Sequence, residues 1–236
     1  MKNFVDLLLK DQTTGQNILW ANSEFGAQEI QPSEMDSIRP RHEKNRELQK
    51  LRTKTRAEIF TPPEVCELQN NLICAPFDTR HSWQDFVRAK FLEITCGEAP
   101  YLVNRYNAVT GEETPLDNRV GLLDRKLRVV GKETSNINDW KNFAIQAVQS
   151  CYGYEFQGDN LFLARRNVFE TVKDFFRAKF NRELPEDFLS HVAEIVSWNL
   201  WQMDGLKFTV PFAKKLCRIK NWRTHETFMF MELFGM

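Results

Sequence analysis

The sequence has no net charge to offer a polyanion: 32 Lys and Arg face 32 Asp and Glu across 236 residues. Without a global basic field, any nucleic-acid contact has to come from a local patch. Cysteine pairing is absent as well. Cys66, Cys74, Cys96, Cys151 and Cys217 include no CxxC pair, follow no regular spacing and are odd in number. That argues against a zinc site and a disulfide framework, and makes a reducing, cytoplasmic setting the expectation. No stretch approaches the run of about eighteen apolar residues that a membrane span requires. The N-terminus opens with one basic residue, Lys2, and a short apolar run, but has no small-residue cleavage site. A nuclease centre finds no support, since no acidic pair precedes a Glu-x-Lys in a strand context. What is plentiful is aromatic: 19 Phe and 6 Trp, a load more typical of core and subunit-interface packing than of a base-stacking surface. The length suits one α/β domain with an appended arm.

The organising stretch is Phe91 to Val103, FLEITCGEAPYLV. Phe91, Leu92 and Ile94 predict a short buried strand, Gly97 a tight turn that lets the backbone approach a ligand, and the residues after it a helix with free N–H groups aimed at that ligand. Glu93 and Glu98 disfavour a phosphate. They suit a ligand carrying positive charge and hydroxyls, such as the methionine and ribose parts of S-adenosylmethionine. The competing reading is a tight β-to-α turn with no ligand.

From Arg39 to Arg56 runs the one basic segment, in which Arg39, Arg41, Lys44, Arg46, Lys50, Arg52, Lys54 and Arg56 face only Glu43 and Glu47. Residues 41–54 are predicted helical, with charge on nearly all faces around a thin apolar line of Leu48 and Leu51. Such a helix is either a solvated connector or an arm for the DNA backbone. Thr61 is placed to cap a helix that tolerates Pro62 and Pro63 and runs to about Asn71. Residues 107–137 look like an inserted excursion, with Leu122, Leu123 and Leu127 on one helical face. A second helix carries Trp140, Phe143, Ala144, Ala147, Val148 and Cys151.

Tyr152 to Phe156 reads as an aromatic strand that ends in a carboxylate. A carboxylate at the end of the second strand of a nucleotide-binding sheet can accept from both hydroxyls of a ribose, and Glu155 is the candidate. The helix Leu161 to Asn181 follows, with Asp159 or Asn160 as its cap, and then a helix from Glu186 to Trp198. His191 on that helix has the pattern of an ordinary residue. Leu200 to Leu206 gives a third short strand whose Asp204 can accept from an adenine amino group. Leu216–Lys220 and Thr227–Met231 form a predicted hairpin, expected to cover the exposed side of the first strand unless a second subunit does so.

Taken in order, Phe60-Thr61-Pro62, the turn Glu93-Ile94-Thr95-Cys96-Gly97-Glu98-Ala99-Pro100-Tyr101-Leu102, Glu155 followed by Ala164-Arg165-Arg166-Asn167, and Asp204 within Gln202-Met203-Asp204-Gly205-Leu206 resemble the adenine-type DNA amino-methyltransferases of bacterial restriction-modification systems. The likeness is to the modification subunits and fused enzymes whose motif order begins with an F-T-P element. More narrowly, the sequence looks like a group of short proteins labelled restriction endonuclease subunit M. These carry similar R-A-E-x-F-T-P, E-I-T-C-G-E-A-P-Y-L and Y-G-Y-E-x-Q-G-D-N segments, and the similarity spans most of residues 13–211.

The resemblance implies a partial Rossmann-like methyltransferase sheet with helices on both faces. Residues 1–56 would form an N-terminal segment with a basic arm, 57–211 a cofactor-binding domain and 212–236 the hairpin. It implies S-adenosylmethionine as cofactor, held by Phe60, Thr61, Pro62, Glu93, Cys96, Gly97, Glu155 and Asp204. DNA would be a partner, together with a restriction-modification subunit or a second copy. The chain also departs from the pattern. The catalytic Asn/Asp-Pro-Pro-aromatic tetrapeptide, which grips the target amine, is missing. Only 32 residues follow Asp204, Ala99 replaces a glycine of the turn, and Gly97 and Glu155 are about twice the usual distance apart. Two functions stay open: a methyltransferase-like subunit whose catalytic half is missing or supplied in trans, and a non-enzymatic interaction module on a degenerate scaffold.

Overall fold

Three short parallel strands, β1 (Phe91–Glu93), β2 (Cys151–Glu155) and β3 (Leu200–Gln202), lie side by side in chain order. They belong to a computed structural model that describes residues 4–22, 24–56, 58–59, 61–77 and 82–235. Phe91 stands opposite Cys151 and Glu93 opposite Gly153, while Gly153 stands opposite Leu200 and Glu155 opposite Gln202. The chain is thus α/β, with a parallel sheet as expected. The expectation of helices on both faces is corrected. Each new strand is added on the same side of the last, so right-handed crossovers place their helices on one face only. Side-chain alternation agrees. Cys151 and Leu200 point into the main core with the helices, whereas Tyr152, Tyr154 and Trp201 belong to a second cluster built with the C-terminal segment.

The helices are α1 (Val5–Leu9), α2 (Arg46–Arg56), α3 (Pro63–Cys74), α4 (Trp83–Arg88), α5 (Leu122–Glu133), α6 (Ile137–Gln149), α7 (Gly158–Phe180) and α8 (Glu186–Asn199). Among the described residues no helix is long and apolar enough to cross a membrane. Residues 107–137 are no excursion from the core: Leu122, Leu123, Leu127 and Val130 of α5 are fully packed within it. The described part of the first 56 residues shares that core too, through Phe4, Leu8, Leu9, Ile18, Trp20 and Ile30.

Helix α7 is the spine. Its Leu161, Ala164, Val168, Val172 and Phe176 recur at helical spacing and are all buried. It ends at Asn181, whose left-handed φ of 51° stops the helix at a residue type that tolerates it. Its start differs from expectation. Gln157 holds the N-cap position with no side-chain cap, and neither Asp159 nor Asn160 serves there. A Cβ on Gly158 would lie 2.0 Å from the Leu19 carbonyl oxygen, so only glycine lets the helix start press against that segment. Thr61 is likewise no cap: Pro62 precedes α3 and Pro63 opens it.

The hairpin forms, as β4 (Arg218–Lys220) and β5 (Thr227–Met229), antiparallel. Its place is at β3 and not at β1. Ile219 and Phe230 pack on Trp201 and Met203, Thr209 bridges to both Asp204 and Leu216, and the Cys217 thiol donates to the Gln202 carbonyl. The physical reason lies in β3, whose outward Trp201 presents a large apolar side chain that needs cover. Leu92 of β1 stays exposed.

Within α7, Arg165 is wholly buried and, among the described residues, has no carboxylate in hydrogen-bond contact. Its guanidinium instead donates to four carbonyls, those of Leu8 (2.7 Å), Lys10 (3.0 Å), Ser197 (3.1 Å) and Leu200 (2.8 Å). Burial lowers its pKa to about 10, which leaves it cationic at neutral pH. The C-terminal ends of α1 and α8 converge on this one charge, each presenting the negative end of its dipole. Replacing Arg165 by Met should orphan these carbonyls and cost about 3 kcal/mol or more, roughly 6 to 12 °C in Tm for a chain of this size. Thermal unfolding followed by circular dichroism reads this directly, and an unchanged midpoint would contradict it.

Candidate functional site

The carboxyl ends of the three strands open into a cleft of about 870 Å³. That is the place where open parallel sheets bind ligands, and the volume suits a nucleotide-sized molecule. Thr61, Glu93, Cys96, Gly97, Glu155 and Asp204 all line it. Pro62 lies next to Thr61 but does not line the cleft, and Phe60 falls outside the described residues. Six expected cofactor residues, drawn from four separate stretches of sequence, therefore meet in one place.

The turn after β1 is built differently from expectation, because no helix follows it. Thr95, Gly97 and Ala99 adopt left-handed φ angles of 47°, 53° and 64°, and Pro100 has no N–H to give. Three such residues in five break helical continuity, and the two that are not glycine each carry about 1–2 kcal/mol of strain. The N–H groups that a helix would have pointed at a ligand are satisfied within the protein. Glu93 accepts from Tyr101 (3.2 Å) and Leu102 (3.1 Å), and Glu155 accepts from Gly97 (2.9 Å) and Gln157 (3.0 Å). The two strand-end carboxylates thus shape the turn as well as facing the cleft. Glu98 turns away from the cleft and accepts from the Arg41 N–H and the Tyr106 hydroxyl.

Electrostatically the cleft floor is acidic and short of counter-charge. Burial pushes the Glu93 carboxyl up to about 8, against the pull of its two backbone donors, and the nearby Glu155 adds to the rise. Burial raises Glu155 as well, with Glu58 and Asp159 contributing in the same direction. A cation placed between them would favour their ionised forms, whereas a phosphate would be repelled.

The basic segment is divided in two. Helix α2 starts at Arg46, later than predicted, and its buried residue is Arg52, while Leu48 and Leu51 face solvent. Arg52 forms a two-pronged pair with Asp159 (2.8 and 3.0 Å) and donates through Nε to Glu58 (2.6 Å). Lys44 reaches the same Asp159 at 3.1 Å. Desolvation opposes the charge on Asp159, yet the two cations outweigh it and hold its pKa below the ordinary value. Arg52 and Lys44 are therefore structural, which corrects their assignment to a nucleic-acid surface. Arg41 donates to the Glu58 carbonyl oxygen, Arg39 pairs with Glu43, and Arg56 lies over the Phe156 ring at 5.4 Å. Arg46, Lys50 and Lys54, four residues apart, remain as an exposed stripe beside a shallow groove of about 450 Å³.

Several cleft residues were not singled out in the sequence. Glu58 accepts from Gln157 (3.2 Å) and Asn160 (3.0 Å) and so closes one wall; the visible signal was a lone acid after the basic run. Phe156 meets Phe212 edge-on at 5.7 Å, and its place directly after Glu155 could have marked it. Asp204 accepts from the Lys207 ammonium (3.0 Å) and the Leu206 N–H (3.1 Å), and these outweigh burial to lower its pKa. At the mouth, Ile59, Ile94, Leu206 and Phe212 are exposed among Lys54, Arg56 and Lys207. His191 is an exposed helix residue beside Glu194. No group of metal-ligating side chains occurs among the described residues. A scan against protein-family models, a search of curated proteins and a search of solved structures each return no match.

The raised pKa of Glu93 has a testable sign. Folded, the carboxyl keeps its proton up to about pH 8; unfolded, only up to its ordinary 4.5. Its stabilising contribution is then fully present below pH 4.5 and is lost as the pH climbs to about 8. Urea unfolding between those limits should show the parent losing more stability with rising pH than Glu93→Gln, by at most about 1.4 kcal/mol per pH unit. Parallel profiles would refute the assignment.

Proposed function

We propose that the cleft binds S-adenosylmethionine and that the chain acts as a methyltransferase-like subunit on DNA, with the target-handling half missing or supplied by another polypeptide. The observation that carries this is the convergence of Thr61, Glu93, Gly97, Glu155 and Asp204 on one cleft at the strand ends. The residues fit the cofactor chemically. Glu93 and Glu155 offer two carboxyls that a sulfonium or an ammonium would draw into their ionised form, and the Glu155 oxygens keep lone pairs for a ribose hydroxyl. Phe156 offers an aromatic surface in the cleft wall, and Gly97 keeps the backbone free of a side chain where the cofactor would come close. When bound, S-adenosylmethionine supplies an electrophilic methyl group. This chain's own residues hold and orient it. The sequence has no tetrapeptide of the kind that would grip a target amine, so under this reading that role is missing or supplied in trans.

The DNA part of the reading rests on Arg46, Lys50 and Lys54, which stand one turn apart on the outer face of α2. A second, non-enzymatic reading is favoured by one observation: both strand-end carboxylates already have structural N–H partners.

Isothermal titration decides whether the cofactor site is real. Binding of S-adenosylmethionine should tighten between pH 6 and pH 8 and release protons, because a cation favours the ionised form of Glu93, whose pKa is about 8. S-adenosylhomocysteine, which lacks the sulfonium charge, should show a weaker pH dependence. Glu155→Gln should weaken binding at least about tenfold, in line with a lost charge-assisted hydrogen bond of about 1.5–3 kcal/mol. No heat at millimolar ligand would remove the proposal. For DNA, the logarithm of affinity should fall with the logarithm of salt at a slope near −2.7 for three phosphate contacts, and Lys50→Ala should reduce that slope by about 1.

A further inference from the structure

Helix α3 has the opposite of a normal burial pattern for its apolar side chains. Cys66, Asn70 and Cys74 form the inward face, with Asn70 donating to the Tyr101 and Val120 carbonyls at 3.0 and 3.1 Å. The face pointing to solvent carries Val65, Leu68 and Leu72, with Leu68 62% and Leu72 71% exposed and Ile73 beside them at 42%. The spacing of Val65, Leu68 and Leu72, three then four residues, is that of a helix–helix seam. Large apolar side chains clustered in this way on a surface mark an interaction site.

The charges along one side of the seam say what fits it. Glu64, Glu67 and Asn71 fall on that side at helical spacing. Near the start of α3, Glu64 and Glu67 line an acidic groove with Glu112 and Glu113. Neither Glu64 nor Glu67 is in an ion pair among the described residues. Toward the other end, Arg125 of α5 is anchored on the same side, donating to Asn71 (2.7 Å) and to the Val120 carbonyl (2.9 Å) and meeting no carboxylate among the described residues. An edge that is acidic at one end and basic at the other is self-complementary when two copies run antiparallel. A two-fold axis across the helix keeps the side and exchanges the ends.

We propose that α3 is the interface of a symmetric dimer of this chain, with two α3 helices packed antiparallel. Val65 of one copy faces Leu72 of the other, Leu68 faces Leu68 near the axis, and Glu64 and Glu67 face Arg125 across it. The surface is separate from the cofactor cleft, and Thr61 at the cleft lies immediately before α3, so the seam begins where the cleft ends. Twelve residues of helix are about 18 Å long. That is small against the ~1,600 Å² of a standard interface, so the dimer forms in a concentration-dependent way.

Sedimentation equilibrium over a range of concentrations tests this together with single-cysteine cross-linking. The parent should approach twice its 27.8 kDa at high concentration. Leu68→Asp with Leu72→Asp should remain monomeric with an unchanged circular dichroism spectrum and Tm, since both side chains are exposed in the monomer. Glu67→Lys should weaken association, and adding Arg125→Glu should restore it. Under mild oxidation Leu68→Cys should cross-link to itself, and Leu72→Cys should do so only with Val65→Cys, as antiparallel register demands. A parent that stays monomeric at the highest attainable concentration overturns the proposal. So does a dimer that survives the double Asp substitution, or self-cross-linking at Leu72→Cys in place of Leu68→Cys. Cofactor titration of the monomeric double variant separates this outcome from the cleft reading, because α3 packing and cleft binding report independently.

Discussion

A single buried cation sets the frame within which the other elements find their places. Arg165 stands within α7, and its four carbonyl partners belong to the end of α1, the segment after it, the end of α8 and the first residue of β3. Burying a guanidinium without a carboxylate partner is costly unless its donors are satisfied, and here oriented carbonyls at two helix ends do this. The consequence is positional. β3 begins where Arg165 donates to the Leu200 carbonyl, and that fixes how far Gln202 and Asp204 extend toward the cleft. Gln202 in turn holds Leu19 through both amide atoms, accepting from its N–H and donating to its carbonyl, each at 2.7 Å. The N-terminal segment is thereby fastened to the strand whose end forms the site.

The same helix orders the acids. Asp159 at its start collects Arg52 and Lys44 and lies below its ordinary pKa. Glu155, three residues before the helix starts, has no ion-pair partner among the described residues and is pushed up by burial. Asn167, two turns along the helix from Asn160, donates to the Glu98 carbonyl and to the Tyr106 hydroxyl, each at 3.0 Å, and so supports the turn over Glu93. Positive charge is spent on the wall behind α7, and the cleft floor is left with acids that want a partner. Neighbouring carboxylates thus differ in ionisation through their distance from two basic side chains and not through any difference in residue type.

How much of this could be read from sequence follows the range of each interaction. The long helix beginning near Leu161, the helix ending near Asn199 and the three strands were legible because side-chain period reports local structure directly. So was the meeting of Glu93, Gly97, Glu155 and Asp204, since strand ends in a parallel sheet converge by topology. The capping assignments failed for two reasons: proline displaced Thr61, and Asp159 and Asn160 were claimed by the distant Arg52. Arg52 is the sharpest case. Most of its sequence neighbours are polar or basic, and its burial comes from two acids, Glu58 and, 107 residues away, Asp159. Leu48 and Leu51, apolar and on the same helix, stay exposed, Leu48 at the edge of a pocket it lines with Trp20, Phe25 and Ile38.

The direction in which strands were added carries one more consequence. With β2 and β3 added successively on one side of β1, all crossover helices fall on one face, and the C-terminal segment covers the other face only at β2 and β3. Leu92 and Ile94 of the β1 segment are left exposed, next to a cleft mouth rimmed by Ile59, Leu206 and Phe212. Under the proposed reading, a group that acts on a molecule held over Glu93 and Glu155 would approach from this β1 side. Three observations therefore concern one side of the molecule: an uncovered strand, an apolar rim and a cleft floor whose Glu93 and Glu155 carboxyls have no ion-pair partner among the described residues. A parallel strand with only one neighbour and an exposed apolar face is the part of an α/β sheet least able to remain bare. Under the proposed reading, a polypeptide that supplies the missing target-handling groups would cover β1 and place those groups over the cleft in the same step.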